Sequence, residues 1–200
     1  GVDGDVIDVA LHTVKVQNWD KTISTVPTHR LISKTFRNWR GMAEAGGRRI
    51  KRSLHIDATS VRFLDEPELD RFGAFEPLSD YMKAKAEELT SWNAERNVPD
   101  GTWGDPRRLT NLGTFRAYVA TYLRRHPGLA TDRLTTLVRL LPPTPEGVPL
   151  EIYVFTADTE WITYEGIQSD IFDHLLAMLP EFGLRLFQNP SGADVRSIKP

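Results

Sequence analysis

The side chains best suited to chemistry in this chain are five histidines, a pair of acids near residue 170, and a basic, aromatic run from Thr28 to Arg52. The histidines are His12, His29, His55, His126 and His174, and no two stand four residues apart. Asp170 and His174 would share a helix face, with Asp173 adjacent. A metal site needs a converging set of ligands, and the spacing supplies no third. Asp170 and Asp173, three apart, could meet as a carboxylate pair for acid–base work. Neither a polarising cation nor a glycine-rich cradle flanks them, and exposed carboxylates on an amphipathic helix are the ordinary reading. The chain has no G-x-S-x-G and no P-loop pattern. With no cysteine it has no thiol nucleophile, thiolate metal site or disulfide. The sequence therefore assigns no catalytic, cofactor-binding or metal residue, and it predicts neither an enzyme nor a cofactor.

The basic run carries a different chemistry. Arg30, Lys34, Arg37, Arg40, Arg48, Arg49, Lys51 and Arg52 stand against Glu44 alone, with Phe36 and Trp39 interleaved. Arginines pair with phosphates and aromatics stack on bases, so this stretch could bind nucleic acid. The bland alternative places Phe36 and Trp39 in packing at a domain junction. That alternative is favoured in a chain whose net charge is -2. The acids concentrate elsewhere, between Phe63 and Asp105. Such separation bears on neighbours and partners more than on fold.

The elements that must position these groups begin with a β block. Ile7, Val9 and Leu11 alternate with Asp8, Ala10 and His12, the period of a strand with one buried face. Val14 and Val16 continue the alternation, Asn18 to Lys21 is a polar turn, and Ile23, Thr25 and Val26 open another β-branched run. Pro27 cannot donate to a central ladder and should end that strand or lie on an edge. Four or five short antiparallel strands in a bent sheet are expected. Gly41 to Gly47 is small and glycine-rich, and reads as a hinge or loop.

Strand alternation returns from Arg48 to Asp57, with Ile50, Leu54 and Ile56 on one face. Glu66-Pro67-Glu68 should open a short helix, with proline in its first turn and acids at its positive end. Leu78 to Arg96 reads as an amphipathic helix, Asn97 to Pro106 as a loop, and Asn111 to Arg125 as a helix stopped by His126-Pro127-Gly128. Leu134 to Leu141 reads as a strand. Leu150 to Phe155, apolar on both faces, should be central. Thr163 to Phe182 reads as the strongest helix, kinked or ended near Leu179 by Pro180. Leu184 to Phe187 and Val195 to Ile198 are candidate closing strands. From Arg48 this order is the split βαβ arrangement, an antiparallel sheet with helices on one face.

A hydrophobic share of 40% and a charged share of 26% describe an ordinary globular chain of 200 residues. No run reaches the ~18 apolar residues that span a bilayer, and no secretory leader pattern opens the chain. Gly1 falls within the first strand pattern, which predicts a piece of a longer protein.

Several blocks carry a family resemblance. Gly4-x-Val6, Thr13-Val14, Asp20 and Val26-Pro27 resemble the cytoplasmic β domain of the small-conductance mechanosensitive channel (MscS) family. Pro27-Thr28 departs from the Pro-Asn usual there. Asn18 to Thr28, Phe36 to Met42, Gly46 to Ser53, Thr110 to Tyr118 and Gln168 to His174 are similar to the YbdG-like miniconductance subgroup. The resemblance implies an α+β fold: a small Sm-like β domain over residues 1–45, then a ferredoxin-like α/β domain over 46–200 with a helical insertion at about 64–112. It implies the cytoplasmic part of a channel in a bacterial inner membrane, opening under tension after osmotic downshock. The channel would be a homo-oligomer, a heptamer in the family, joined to the membrane by N-terminal helices missing from this sequence. The fragment would serve assembly, a solute-filtering vestibule and gating. A small bent barrel also resembles Sm-like RNA-binding folds, which keeps a nucleic-acid module as the alternative.

Overall fold

The computed structural model describes residues 1–96 and 106–190. The chain divides into two compact units, Gly1–Gly41 and Met42–Pro200.

The first unit is a three-stranded antiparallel sheet of β1 (Gly4–Val9), β2 (Thr13–Asn18) and β3 (Ile23–Pro27), in that order. The four or five strands expected from the sequence are thus three among the described residues. The β2–β3 turn is held by Asp20, which accepts from the Thr22 amide at 3.0 Å and its hydroxyl at 2.6 Å. Pro27 ends β3 opposite Thr13 on an edge strand, where its missing N–H costs no ladder bond. The alternation around Ile7 does not bury a face. Val6 pairs with Val16 but Asp8 with Lys15, so Ile7 is a bulge that shifts the register by one residue. Ile7, Val9 and Leu11 are 49%, 70% and 84% exposed, and only Val14 and Val16 are buried in this sheet. A short helix, α1 (Thr28–Ser33), follows Pro27.

Residues 40–45, expected as part of a glycine-rich loop, instead form the helix α2 (Arg40–Ala45). The glycine that matters follows it. Gly46 has φ +62, the left-handed conformation favoured just past a helix end.

The second unit is built on β4 (Arg49–Ile56), β5 (Leu137–Leu140) and β6 (Val148–Phe155), ordered β4-β6-β5 and antiparallel throughout. Leu186 bridges Ile56 on the free side of β4, and the Phe187 amide donates to the His55 carbonyl at 2.7 Å. The segment order is that of a ferredoxin-like sheet, with its last strand reduced to a single bridge among the described residues. Val195 to Ile198 lie outside the described residues. The strand expected from Leu134 begins only at Leu137, because the Leu134 amide is taken by the Ala130 carbonyl in a turn.

Four longer helices complete this unit: α3 (Glu66–Ala74), α4 (Ser79–Glu95), α5 (Asn111–Arg125) and α6 (Trp161–Met178). A 3₁₀ turn at Leu179–Phe182 ends α6 where Pro180 removes a donor. The helices cover one face of the sheet, where Ile50, Ile56, Leu150, Ile152 and Val154 are fully buried together with Phe115 of α5.

The insertion belongs to this core. Its root is closed by the Leu64 amide donating to the Leu109 carbonyl at 2.9 Å, beside a Phe63–Thr110 bridge. Phe72 of α3 stacks on Phe182 at 4.7 Å, and Leu78, Met82 and Leu89 are buried along α4. Each such side chain contributes about 1.5–3 kcal/mol, whereas exposed ion pairs contribute ~0–1 kcal/mol. Packing therefore fixes the insertion. Its acids find partners close by: Glu68 with Arg62, Glu76 with Arg125, and Glu88 with Lys85 and Arg107. The loop expected from Asn97 to Pro106 falls, up to residue 105, outside the described residues.

Candidate assembly surface

Eleven of the eighteen large apolar side chains left exposed among the described residues lie in the first 41 residues, which makes this unit the place to look for a partner. Val6, Ile7 and Val9 stand on β1, Ile23 on β3, and Ile32 on α1 is 89% exposed. The cause is local. Three strands of five or six residues have too little area to bury both their faces, and the bulge at Ile7 breaks the one alternation that could have made a single dry face. Both outer strands carry a ladder on one side only within this sheet. Each thus offers backbone groups to a further strand. Asp8 and Lys15 face each other across β1 and β2 at 3.2 Å and are half exposed, so an ion pair stands among the exposed apolar side chains of this sheet. Hydrogen bonds from the Thr22 hydroxyl and amide hold the Asp20 carboxyl below its ordinary range, so the turn beside Ile23 stays charged. Phe36 and Trp39, expected to pack at a junction, are both exposed, and Arg37 lies over the Trp39 ring at 5.7 Å.

No other chemistry gathers where the sequence offered it. His12 and His29 are exposed in the first unit and His55 lies half-buried on β4. Among the described residues no group of three His, Asp or Glu side chains could hold a metal ion. Asp170 and Asp173 are exposed on α6 and do not form a site. His174 packs against α5, where its Nε2 lies 2.7 Å from the Tyr118 hydroxyl and its ring stacks on Tyr122 at 4.4 Å. Burial raises the pKa of both tyrosines, so they remain hydroxyls.

One buried charge escaped the sequence reading. Glu151 lies on the central strand, 4% exposed, and its carboxylate accepts from Arg139 at 2.8 Å with Lys51 at 3.7 Å. Leu150 to Phe155 reads as an apolar run, and Glu151 within it is the signal that a cation must stand on each neighbouring strand.

No helix among the described residues is long and apolar enough to cross a membrane. Residues 1–41 match the family described as "Mechanosensitive ion channel, beta-domain". A cryo-EM structure of MSL1 from Arabidopsis thaliana is similar over 94% of this chain and 50% of its own, with 13% identity and a TM-score of 0.59. The closed-state crystal structure of MscS from Helicobacter pylori is similar over 94% of this chain and 52% of its own, with 9% identity and a TM-score of 0.51. The chain spans about half the length of these solved channels. At such low identity they speak to fold, and the fold they share is the mixed α+β arrangement described above. The Sm-like nucleic-acid reading finds no support in these similarities. Residues 1–41 are thus similar to the β-domain of mechanosensitive ion channels, and the chain shares the mixed α+β fold of these two solved structures.

Proposed function

We propose that this chain is the cytoplasmic part of an MscS-type channel of the YbdG-like miniconductance subgroup, opening under membrane tension in osmotic downshock. The observation that carries the reading is the β unit itself. It matches the channel β-domain and is apolar on the outside with open strand edges, as a subunit in a ring must be. The subgroup rests on the blocks Asn18 to Thr28, Phe36 to Met42 and Gln168 to His174. In this reading membrane helices precede Gly1, sense tension and line the pore in a bacterial inner membrane. Seven copies assemble through their β units, and the α/β units form a vestibule that filters solutes and tunes gating.

The test is electrical. Patches of membrane holding the protein that carries this chain should show currents that open with suction and vanish when the gene is deleted. Expression at normal level with no tension-activated current would overturn the reading.

A further inference from the structure

We infer that His126 is a proton-operated latch at the seam between α5 and α6, closed when its imidazole is neutral and released by acid. One hydrogen bond of His126 has a fixed direction. The Gly128 amide donates to His126 Nδ1 at 3.1 Å. A backbone N–H can only donate, so Nδ1 carries no proton and the ring is the neutral Nε2–H form. Protonation at Nδ1 puts an N–H against an N–H and ends the contact.

What the contact holds gives it reach. His126 caps α5, its amide bonded back to the Leu123 carbonyl. Gly128 in turn accepts from the Ala157 amide at 2.8 Å, and two residues on the Ala130 amide donates to Phe155, the last residue of β6. Gly128 also lies so close to α6 that a Cβ there would stand 3.0 Å from Ile167. The three-residue turn thus ties the end of α5 to the end of the central strand and to the first half of α6. Loosening one bond in it loosens all three.

The surroundings set the direction of the response. Tyr122 on the same helix meets the His126 ring edge-on at 5.9 Å, and His174 of α6 stacks on Tyr122 at 4.4 Å. Asp170 of α6 is the acid that faces both His126 and Tyr122, while the neighbouring Arg125 is engaged with Glu76 of the insertion. Burial lowers the pKa of His126 below its ordinary value, and Asp170 opposes this in part. A histidine depressed in the folded state contributes stability above its unfolded pKa of about 6.5 and loses it as pH falls through the folded value. The seam is therefore tight at neutral pH and slackens in acid. In the proposed channel this would couple the α/β unit to internal pH, a consequence that rests on that function; the latch itself does not.

Amide hydrogen exchange tests the latch. In the unaltered chain the protection of the Gly128 amide, corrected for intrinsic rate, should fall about tenfold or more between about pH 7 and about pH 5. His126→Asn keeps a side-chain oxygen able to accept from the amide two residues on, yet cannot titrate in this range. Its Gly128 protection should stay flat. Asp170→Asn removes the opposing charge and should move the transition to lower pH. Protection in the unaltered chain that does not change with pH, or an equal fall in His126→Asn, would overturn the inference. Should His126→Asn fold poorly, the imidazole nitrogen shifts of the unaltered chain decide: Nδ1 protonated at neutral pH excludes the latch.

Discussion

Gly147 has φ +95, and a Cβ built there would lie 2.3 Å from the carbonyl oxygen of Ile56. Backbone cannot yield as a side-chain tip can, so Gly147→Ala should lower stability by about 1–3 kcal/mol. A lower midpoint in urea unfolding checks it; an unchanged midpoint would show that the β6 entry relaxes freely. Gly46 makes the contrast. It also has a positive φ, but the nearest atom to its Cβ is the guanidinium of Arg133, a flexible end, so Gly46→Ala should cost less. Glu151 tests the same scale from the polar side. Arg139→Ala leaves this buried carboxylate with only the longer contact to Lys51, at a cost of about 1–3 kcal/mol. The double substitution with Glu151→Leu should recover part of that loss in the same unfolding assay. These residues differ in how legible they are. A charge inside an apolar strand run announces a partner, whereas the approach of Gly147 to the Ile56 carbonyl depends on a strand distant in sequence, which no local pattern encodes.

At the scale of elements, helices of the second unit were readable because their apolar stripes and stop signals agree. The span Asn111 to Arg125 with His126-Pro127-Gly128 after it is helical over those same residues. The β block departs from its sequence pattern in strand number, three rather than four or five, and in burial, the latter for a physical reason. A bulge inserts one residue without altering the alternation of types along the strand, so Ile7 and Val9 look buried in sequence and are not, while Leu11 continues the alternation beyond the end of β1, in the turn to β2. The insertion shows what a start signal is worth. Asp65 accepts from the Glu68 amide while Glu68 returns a bond to the Asp65 amide, a complete capping box on α3. Asp65→Ala should cost about 1 kcal/mol. The hydrogen bond and charge of Arg62 hold the Glu68 carboxyl below its ordinary range. Its contribution is thus present above the unfolded carboxylate value of about 4.3 and lost as pH falls through the folded one. Glu68→Gln should flatten the acid limb of the stability profile, and an unaltered limb would place the acid sensitivity elsewhere. Removing the whole insertion is a harsher change than its separate charge pattern suggests. Without it Phe182 loses the Phe72 stack and Tyr118 loses Phe75, so core surface would be opened. A deletion of Glu66 to Pro106, keeping the Leu64–Leu109 closure, should therefore lower thermal stability before any question of gating arises. An equally stable deletion would show that α3 and α4 only rest on the core.

At the scale of the molecule, the proposed assembly joins copies of the β unit, and the sheet itself dictates how to test it. Lys15 and Thr25 are exposed and tempting positions for cysteines, yet they face each other across β2 and β3 in one chain. A pair placed there would link within the subunit and report nothing. The outer strands avoid this. Val6 on β1 lies opposite Val16, and Val16 opposite Ser24 beside Ile23, so Val6 and Ile23 are two strand spacings apart within a chain, roughly 10 Å. That exceeds the ~7 Å that a disulfide can bridge between Cα atoms. A link between Val6→Cys and Ile23→Cys must therefore come from two subunits. Since both residues are exposed and each stands on a free edge, the proposed assembly predicts that the full-length protein carrying the double variant forms ladders of linked subunits on oxidation, and that neither single variant extends past a dimer. Burial of this apolar set in the proposed ring would contribute at about 25 cal/mol per Å². Leu11→Asp and Val9→Asp should accordingly weaken assembly while leaving the second unit folded, since both side chains point away from any core of their own chain. A full-length protein that assembles normally with both aspartates in place, and that never links through Val6 and Ile23, would move the proposed subunit contact away from the β unit altogether.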